Sequence, residues 1–569
     1  MTEPTTPNPE TFGTTRASQI GWGVLICVTL YVCYFSQLGA IGFVGPDEPR
    51  YAWIARDMME SGDWVTPRLY GRPWFEKPPL FYWGAALSFK LFGVSEAAAR
   101  LPSAISALLA TLALAWLAGR LYGSETARWL LLLLPTTVGM IGFSHAAATD
   151  MPFSATLTIA MVCAAVVLGL TRNENTPVLP RTPWLGLILF GFFLGLAMLA
   201  KGPAAIILSG GAVFFWALMT KRWRDAFRLL HPAAIASFCA TSLPWYILCA
   251  RRNPDFVRVF IIEHNFKRFL TPEFQHIQPF WYYIPVLLVA FLPWTAQFLS
   301  SVVTGAITLW RPRPANGFTR FLACWAGFCL VFFSISRSKL PGYILPAVPA
   351  IAFLISSQAV SKTDAVRRAL RTVSFLAALV FFVLFALTKA LSPNMAQLNL
   401  NAAAAVGIVF VMMGLASLFY GIFFPRTNKN ALHFFGVTAA ILPILIVLLR
   451  GDSLVSSFFL WDPSGRTIAR ELQLRKIPIE ELAVTNMSRG RHYSLNFYVH
   501  EEIKDWNQEN SNKAYVLADR PGCRALTPIP FACEAAPFGE KHTGAFLYHV
   551  VMAGSVSGSA EGRQPNQKE

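Results

Sequence analysis

Two short segments near the N-terminus carry acidic and basic residues in a spacing that could support chemistry on a charged substrate. Asp47 and Glu48 are adjacent carboxylates followed by Arg50, and Glu76-Lys77 places a second acid–base pair 28 residues after Glu48. A single acid beside an apolar run is often only a solvated cap, whereas a repeated acid–base pattern is more typical of a functional site. Carboxylates can orient or deprotonate an acceptor, and the cations can bind an anionic group. We therefore predict a site with acidic and anion-binding components in this connection.

A third acid, Asp150, lies in the stretch ATDMPF, which is otherwise uncharged. Asp placed just before a helix that begins near Pro152 would cap that helix well. This structural role is compatible with a functional one, because an ionisable group at a membrane boundary is by default a functional candidate. We predict that Asp150 and Asp47 are neighbours across one site.

Later connections add a second set of polar residues. They are Lys201, Glu263, His264, Arg268, Lys339 and Tyr343. Arg268 and Tyr343 suit a phosphate, because a guanidinium can bind it bidentately and a phenol adds a neutral hydrogen bond. Lys201 ranks below Lys77, since a lysine at the end of a span can simply extend its ammonium to the headgroups. A lone His is more often structural than a metal ligand, and no paired His or Cys supports a zinc site at His264.

The rest of the sequence predicts a membrane protein whose helices position these residues. Hydrophobic residues make up 54% of the 569 residues and charged residues 14%, against about 25% charged in an ordinary soluble domain. Apolar runs long enough to cross about 30 Å of hydrocarbon recur along the chain. The thirteen predicted spans lie near residues 20–44, 101–118, 129–146, 152–170, 184–200, 203–219, 232–250, 280–304, 321–335, 343–360, 373–391, 402–424 and 431–449.

The basic residues predict the orientation of these spans. With the N-terminus inside, Lys and Arg mark every inner connection, as the positive-inside rule expects, and an odd number of spans leaves the C-terminus outside. Segment 79–92 is predicted to be a short interfacial helix, because counting it as a span would place Asp150 on the wrong side. Basic residues in the outer connections 45–100, 251–279 and 336–342 run against this bias and favour an anionic ligand such as a lipid phosphate. The net charge of +17 is scattered through short connections, which argues against a nucleic-acid partner.

Three regions are predicted along the chain. Residues 1–19 form a cytoplasmic tail, 20–450 the membrane domain, with a first span that is retained rather than cleaved, and 451–569 a small outer α/β domain with a disordered tail after Val556. In that domain LAVTN, SLNFYVH, KAYVLAD and AFLYHVVMAG are predicted strands and TIARELQLR a helix. Cys523 and Cys533 could form a disulfide in an oxidising compartment. The other seven cysteines lie in apolar runs and are predicted to serve in packing.

The motifs together resemble a known family. DEPRYAW, GDWVTP and FEKPPLFYW, followed by ATDMPF, AKGP, SLPWY, EHNFKRF, QPFWYYIPV and SRSKLPGYILP, resemble the aminoarabinose transferases of lipid A. More widely, they resemble the polyprenyl-phosphate-dependent sugar transferases that include the protein O-mannosyltransferases. The resemblance implies a mostly helical GT-C glycosyltransferase fold in the bacterial inner membrane, with the active site and the C-terminal domain on the periplasmic side.

By motif, the resemblance also implies roles for individual residues. Asp47 and Asp150 match essential acids, and Glu76 and Lys77 match a Glu-Lys pair. Residues that match positions for the carrier phosphate are Arg50, Lys77, Arg268 and Tyr343. The catalytic candidates are Asp47, Asp150, Glu48 and Glu76, and Lys339 is a further candidate for a phosphate contact. Candidate substrate contacts are Tyr51, Tyr82, Lys201, Glu263 and His264.

The expected activity is inverting transfer of a sugar from an undecaprenyl-phosphate carrier, with 4-amino-4-deoxy-L-arabinose and a lipid A phosphate as the first choice of sugar and acceptor. Another sugar, passed to a lipopolysaccharide, lipid or protein acceptor, is an alternative. No cofactor is required by any motif, and a divalent ion (Mg²⁺ or Zn²⁺) at Asp47, Asp150, Glu76 or His264 stays open. A lipid or solute transporter is the alternative from another class, but the acids cluster at one face and no inverted repeat is evident. A scaffold that only binds partners would leave the crowded outer charges unexplained.

Overall fold

The computed structural model describes residues 16–170, 183–267, 277–310, 317–359, 464–506, 513–519, 532–538 and 545–551, with isolated positions between 375 and 445. Arg268, Cys523, the tail after Val556 and the predicted spans 373–391, 402–424 and 431–449 lie outside the described residues or almost entirely so. Predictions for these segments therefore stay predictions.

Helices dominate the N-terminal two thirds of the described chain. In order they are α1 (Arg16–Tyr34), α2 (Asp47–Ser61), α3 (Leu80–Phe92), α4 (Glu96–Tyr122), α5 (Ser124–Leu133), α6 (Val138–Ser144), α7 (Asp150–Val167), α8 (Trp184–Lys201), α9 (Ala204–Thr220), α10 (Trp223–Phe227) and α11 (Pro232–Arg252). A π-helix (Arg258–Lys267), α12 (Tyr283–Ala290), α13 (Thr295–Trp310), α14 (Gly317–Ile335), a 3₁₀ turn (Pro341–Ala347) and α15 (Val348–Ala359) follow. Each predicted span as far as 343–360 overlaps one or two of these helical segments, although α1 ends at Tyr34, well before the end of the predicted span 20–44.

Several of these helices can cross a membrane. Within the described residues, six helical segments are long and apolar enough to span it, and α5 with α6 makes a seventh candidate that is bent by 63°. Their buried side chains form one large apolar core, while many Leu, Ile and Phe side chains remain on the outside. An apolar exterior around an apolar core is typical of helices that pack together within lipid. The chain is therefore a multi-pass membrane protein.

Chain direction places the candidate polar residues at one end of this bundle. Helix α7 begins at Asp150 and the antiparallel α8 ends at Lys201. Gly202, with φ of 78°, stops α8 directly after Lys201, because a positive φ is readily adopted only by glycine. Asp150 is the first residue of α7 rather than its cap, and Thr149 is the cap residue. The start of α7 and the end of α8 are thus held side by side.

A polar subdomain is inserted between α1 and α4 at this end of the bundle. It contains α2, a small hairpin of β1 (Arg68–Leu69) and β2 (Arg72–Pro73), and α3. Segment 79–92, predicted to be a short helix apart from the spans, forms α3. The subdomain has its own apolar core, in which Tyr51 and Tyr82 pack with Ala147 and Ala148 from the connection before α7. The first polar connection is therefore packed against the segment that leads into Asp150.

The C-terminal residues form an α/β unit. It comprises α16 (Arg466–Leu474), β3 (Leu482–Thr485), α17 (Arg489–Val499), β4 (Lys504–Asp505), β5 (Tyr515–Ala518), β6 (Ala532–Phe538) and β7 (Ala545–Val551). The strands make a mixed sheet in the order β4-β3-β5-β7-β6, with β3 parallel to β4 and β5. The predicted helix at TIARELQLR and the strands at LAVTN, KAYVLAD and AFLYHVVMAG match these elements.

The predicted strand at SLNFYVH is wrong, because these residues form the last turns of α17 and the start of its exit. Buried residues on α17 include Arg491, Ser494 and Leu495, and spacings of three and four are those of one helix face. Within the short window 494–500, alternating Leu495, Phe497 and Val499 imitate the two-residue period of a strand. The helical period becomes visible only with the residues that precede the window.

Helix α17 docks the C-terminal unit onto the polar subdomain. The Tyr498 hydroxyl accepts from the Phe43 amide at 3.1 Å and donates to Glu96 at 2.7 Å, and Asn496 donates to the Tyr70 hydroxyl at 3.0 Å. Gly490 lies so close to Gly45 that an added Cβ would meet the Gly45 carbonyl carbon at 2.8 Å. The C-terminal unit therefore forms a wall beside the start of α2.

Candidate active site

The first turn of α2 carries two carboxylates, Asp47 and Glu48. Acidic residues at a helix N-terminus are stabilised by the partial positive charge of the unpaired backbone amides. Arg50, one turn later, is 6% exposed and donates to the Pro46 carbonyl at 2.8 Å. Its two terminal nitrogens contact Asp47 and, at 3.3 Å, Glu76. The guanidinium thus joins the acids of the two segments that the sequence singled out.

Lys77 extends this network. Its ammonium lies 3.5 Å from Glu76, and the two side chains are only 13% and 10% exposed. The side chain of Asp47, by contrast, is 48% exposed. Asp47 is therefore the acid of this network that can reach a ligand from solvent, while Arg50, itself paired with Glu76, holds it in place.

Aromatic rings enclose Arg50. Its guanidinium carbon lies 5.4 Å from the Trp74 ring centroid, 5.5 Å from that of Tyr493 on α17 and 5.9 Å from that of Tyr51. Burial, followed by the charges of Glu76 and Asp47, raises the pKa of the Tyr51 phenol well above its usual value. Tyr51 therefore stays a neutral hydroxyl beside the acids at physiological pH.

Glu48 has a different environment from Asp47. It accepts hydrogen bonds from two Arg100 nitrogens, both at 2.9 Å, and from the amides of Ala147 at 2.7 Å and Val44 at 2.9 Å. Both carboxylate oxygens are thus occupied by protein donors. These contacts tie the start of α2 to the connection before Asp150, which is a structural role for Glu48. Its catalytic role stays a prediction.

Arg100 belongs to none of the sequence motifs that indicated the site. It is 2% exposed, and besides Glu48 it donates to three backbone carbonyls at 2.8–3.0 Å, those of Leu38, Ile41 and Gly42. A charged residue at the edge of the long apolar α4 was the available signal, because such residues are rarely accidental.

Asp150 and Lys201 form the second acid–lysine pair. The Lys201 ammonium lies 2.5 Å from an Asp150 carboxylate oxygen and 4.8 Å from the ring centroid of Tyr343. Gly342 approaches so closely that an added Cβ would meet the same oxygen at 2.6 Å. Lys201 is thus fixed by an ion pair rather than extended to headgroups, and Tyr343 lies beside it. The predicted roles of both residues stay predictions.

The two groups lie on the same side of the helix bundle. Glu48, adjacent to Asp47, bonds to Ala147, which is three residues from Asp150. Phe75, adjacent to Glu76, packs in a cluster with Leu199, two residues from Lys201. Each acid–lysine pair is therefore connected to the other through its immediate neighbours.

The remaining candidates have more varied surroundings. Lys339 is 6% exposed and donates to the carbonyls of Gln278 at 3.0 Å and Ser336 at 2.6 Å. Burial and the nearby Arg337 lower the pKa of its ammonium. These contacts show Lys339 bracing its loop, and a phosphate contact stays a prediction. Glu263 pairs with Arg258 at 2.7 Å.

His264 shares a cavity of about 530 Å³ with Glu76. Other residues that line it are Trp74, Asn253, Asp255 and Arg258. Within the described parts of the chain no group of three or more His, Cys, Asp or Glu side chains is placed to hold a metal ion. Glu76, Asp255 and His264 line the same cavity, but they are not grouped closely enough to hold a metal ion together. Metal dependence stays a prediction, which chelation of the purified protein would test.

Two buried polar groups beside the acids lack a hydrogen-bond partner. They are the Tyr82 hydroxyl and the Trp74 indole nitrogen. Buried polar groups in native proteins are nearly always hydrogen-bonded, so an unpaired one needs an explanation. Tyr82 is fully buried, and its ring lies 5.8 Å from that of Tyr51. Both groups could serve a ligand that enters beside Arg50 and Glu76.

The sequence of this chain is similar to those of known glycosyltransferases. A family model described as dolichyl-phosphate-mannose-protein mannosyltransferase matches residues 22–260. The undecaprenyl phosphate-alpha-4-amino-4-deoxy-L-arabinose arabinosyl transferase of Edwardsiella ictaluri is 34% identical over 62% of this chain and 61% of that protein. The transferase of the same name from Aeromonas salmonicida is 31% identical over 64% of this chain and 66% of that protein. The matching region thus spans about three fifths of the length of these curated relatives.

The fold is similar over almost the whole chain. The crystal structure of ArnT from Cupriavidus metallidurans, bound to undecaprenyl phosphate, matches with a TM-score of 0.73 and 25% identity, covering 94% of this chain and 98% of that one. The predicted resemblance and the predicted GT-C fold are therefore confirmed.

Proposed function

We propose that this chain, related in sequence and fold to lipid-carrier-dependent glycosyltransferases, is itself an inverting glycosyltransferase that uses an undecaprenyl-phosphate-linked sugar. The preferred donor sugar is 4-amino-4-deoxy-L-arabinose and the preferred acceptor is a phosphate of lipid A, the chemistry that the names of its relatives describe. The observation that carries the proposal is a pair of acid–lysine groups, Asp47-Arg50-Glu76-Lys77 and Asp150-Lys201, whose neighbouring residues are in contact at one end of the bundle.

The cations stabilise the carrier phosphate as it leaves the sugar. As the bond between the anomeric carbon and the phosphate oxygen breaks, negative charge develops on the phosphate. Lys77 and Lys201, with the Tyr343 hydroxyl, provide preorganised positive charge and a donor on this side, and such contacts are strongest where water is excluded. Lys77 is 13% exposed and Lys201 12% exposed, so both act from a largely desolvated position.

The half-exposed Asp47 assists attack by the acceptor. Asp47 orients the incoming oxygen and, when the acceptor is a hydroxyl, takes its proton. When the acceptor is an ionised phosphate, Asp47 positions the acceptor and stabilises the positive charge that develops on the sugar. The new bond forms at the anomeric carbon opposite to the departing phosphate, so the configuration inverts.

The proposed location is the bacterial inner membrane, with the N-terminus in the cytoplasm and the site and C-terminal unit on the periplasmic side. Support comes from the basic residues of the connections at the other end of the bundle, such as Lys221, Arg222 and Arg224 between α9 and α11. Positive charge favours the cytoplasmic side. Mass spectrometry of lipid A and envelope glycans, with and without the gene, tests donor and acceptor together.

Lys77→Ala is expected to weaken binding of undecaprenyl phosphate about 10- to 100-fold, because a charge-assisted contact with the phosphate is lost. Binding of the carrier to purified protein gives the dissociation constant. Lys90→Ala is the matched control, since Lys90 is exposed at the far end of α3. An unchanged dissociation constant in Lys77→Ala would contradict the role of Lys77.

Tyr82→Phe is expected to leave the melting temperature unchanged or higher, because it removes a buried hydroxyl that has no partner. If that hydroxyl binds the donor, carrier affinity falls about 2- to 10-fold. The control is Tyr34→Phe, since the buried Tyr34 hydroxyl shares a 2.8 Å hydrogen bond with Thr111 and its loss should lower the melting temperature. A lower melting temperature in Tyr82→Phe than in Tyr34→Phe would show that the Tyr82 hydroxyl has a structural partner.

A further inference from the structure

A second cavity, of about 380 Å³, opens on the outer surface of the helices, away from the site residues. It is formed between α8, α9 and α11, with lining side chains such as Phe190, Leu194, Ile206, Val213 and Phe238. Ser209 is the one hydroxyl in this lining, and it donates to the Ala205 carbonyl of its own helix at 2.8 Å. Among these described residues the wall offers hydrocarbon and no charge, so it suits an apolar chain.

One end of this cavity is closed by a short amphipathic segment, residues 221–230. Trp223, Phe227 and Leu230 belong to the lining, yet they are 36%, 63% and 61% exposed. The segment joins the end of α9 to the start of α11, whereas Lys201 lies where α8 meets α9. The exposed aromatic residues therefore mark the membrane surface opposite to the candidate active site, where Trp side chains favour the headgroup level.

The same segment carries an excess of positive charge. It holds Lys221, Arg222, Arg224 and Arg228 against the single acid Asp225. Asp225 pairs with Arg222 at 2.7 Å and with Arg228 at 3.1 Å. Lys221 and Arg224 are exposed on the segment that closes this end of the cavity. An apolar cavity next to exposed cations has the features needed to bind a lipid with a hydrocarbon chain and an anionic headgroup.

We propose that this cavity binds one acyl chain of an anionic phospholipid, whose headgroup phosphate contacts Lys221 and Arg224. A diacyl lipid of the near leaflet can place its phosphate at the 221–230 segment and its chain between α8 and α9. The polyprenyl carrier is the less suitable occupant, because the cations proposed for its phosphate lie at the other end of these helices. This site is independent of the proposed transferase activity.

Gly210 allows the cavity to be filled without disturbing the fold. It lines the cavity, and a Cβ built on it meets no atom within 4 Å. Gly210→Leu should therefore occupy the space intended for the acyl chain. Gly327 on α14 is the matched control, because its Cβ position is equally open and it does not line the cavity.

The test measures lipid retained by the purified full-length protein after exposure to vesicles of equal phosphatidylglycerol and phosphatidylethanolamine, by native mass spectrometry. Wild type and Gly327→Leu are expected to carry one phosphatidylglycerol more than Gly210→Leu. Lys221→Gln with Arg224→Gln should lower the preference for phosphatidylglycerol about 5-fold per charge. Equal retention by Gly210→Leu, an undiminished preference in the charge variant, or polyprenyl phosphate in place of phospholipid would overturn the proposal.

Discussion

Replacing Asp47 by Asn is expected to lower sugar transfer about 10²- to 10⁴-fold, the range that a positioned general base or orienting carboxylate contributes. Asn has nearly the shape of Asp and can still accept from Arg50. Arg50 also keeps its contacts to Glu76 and the Pro46 carbonyl. The loss should therefore appear in turnover, with carrier affinity and melting temperature close to those of wild type.

Glu60→Gln is the matched control for this variant. Glu60 lies at the other end of α2, is 40% exposed and pairs with Arg56 at 2.7 Å. It thus reproduces an exposed acid–arginine pair on the same helix, outside the proposed site, and should retain activity. Turnover at the wild-type rate in Asp47→Asn would remove Asp47 from the mechanism.

Arg100→Met is expected to have the largest effect on stability, a loss of about 3–5 kcal/mol, because it leaves the largely buried carboxylate of Glu48 without its cationic partner. Glu48 and Arg100 are 12% and 2% exposed in their side chains. Since Glu48 also bonds to Ala147, the variant should loosen the contact between the two acid–lysine groups and lower activity as well. Thermal unfolding of the purified protein measures the first effect.

Adding Glu48→Gln to Arg100→Met should restore part of the lost stability, because the buried charge is then removed while one carbonyl acceptor remains. Arg56→Met provides the comparison with an exposed pair, for which a change of about 0–1 kcal/mol is expected. A melting temperature in Arg100→Met equal to that of Arg56→Met would contradict a structural role for the Glu48–Arg100 pair.

The sequence was sufficient to select most of the acids and cations that form the two acid–lysine groups of the candidate site. Asp47, Glu76, Lys77 and Asp150 stand out because charge is rare in so apolar a chain, and such residues are expensive to retain without a role. Helix existence was also predictable, since long apolar runs have few other structures available in a membrane. Both inferences depend on properties that are local in the chain.

Pairings between distant residues could not be predicted from local properties. Lys201 was ranked low, because its partner Asp150 lies 51 residues earlier in the chain. Glu48 was grouped with Asp47, although its partner Arg100 lies 52 residues later and gives it a structural role. Adjacent carboxylates on one helix turn point in different directions, and only the tertiary contacts distinguish them.

The contact between the C-terminal unit and Arg50 could not be predicted from the sequence either. Tyr493 contacts Arg50 from more than 400 residues away, and the helix that carries it was partly mistaken for a strand. A short window holds too few residues to separate a two-residue period from a helical one. The position of the C-terminal unit beside Asp47 depends on tertiary packing, which a local sequence pattern does not predict.

Release of free undecaprenyl phosphate by the purified protein tests the central claim most directly. The protein, reconstituted in vesicles, is given undecaprenyl-phosphate-linked 4-amino-4-deoxy-L-arabinose and lipid A. Equal amounts of free carrier and sugar-bearing lipid A are expected from wild type, and both are expected to form about 10²- to 10⁴-fold more slowly with Asp47→Asn. Unmodified lipid A with no carrier released, from wild-type protein that binds undecaprenyl phosphate, would contradict the proposed activity.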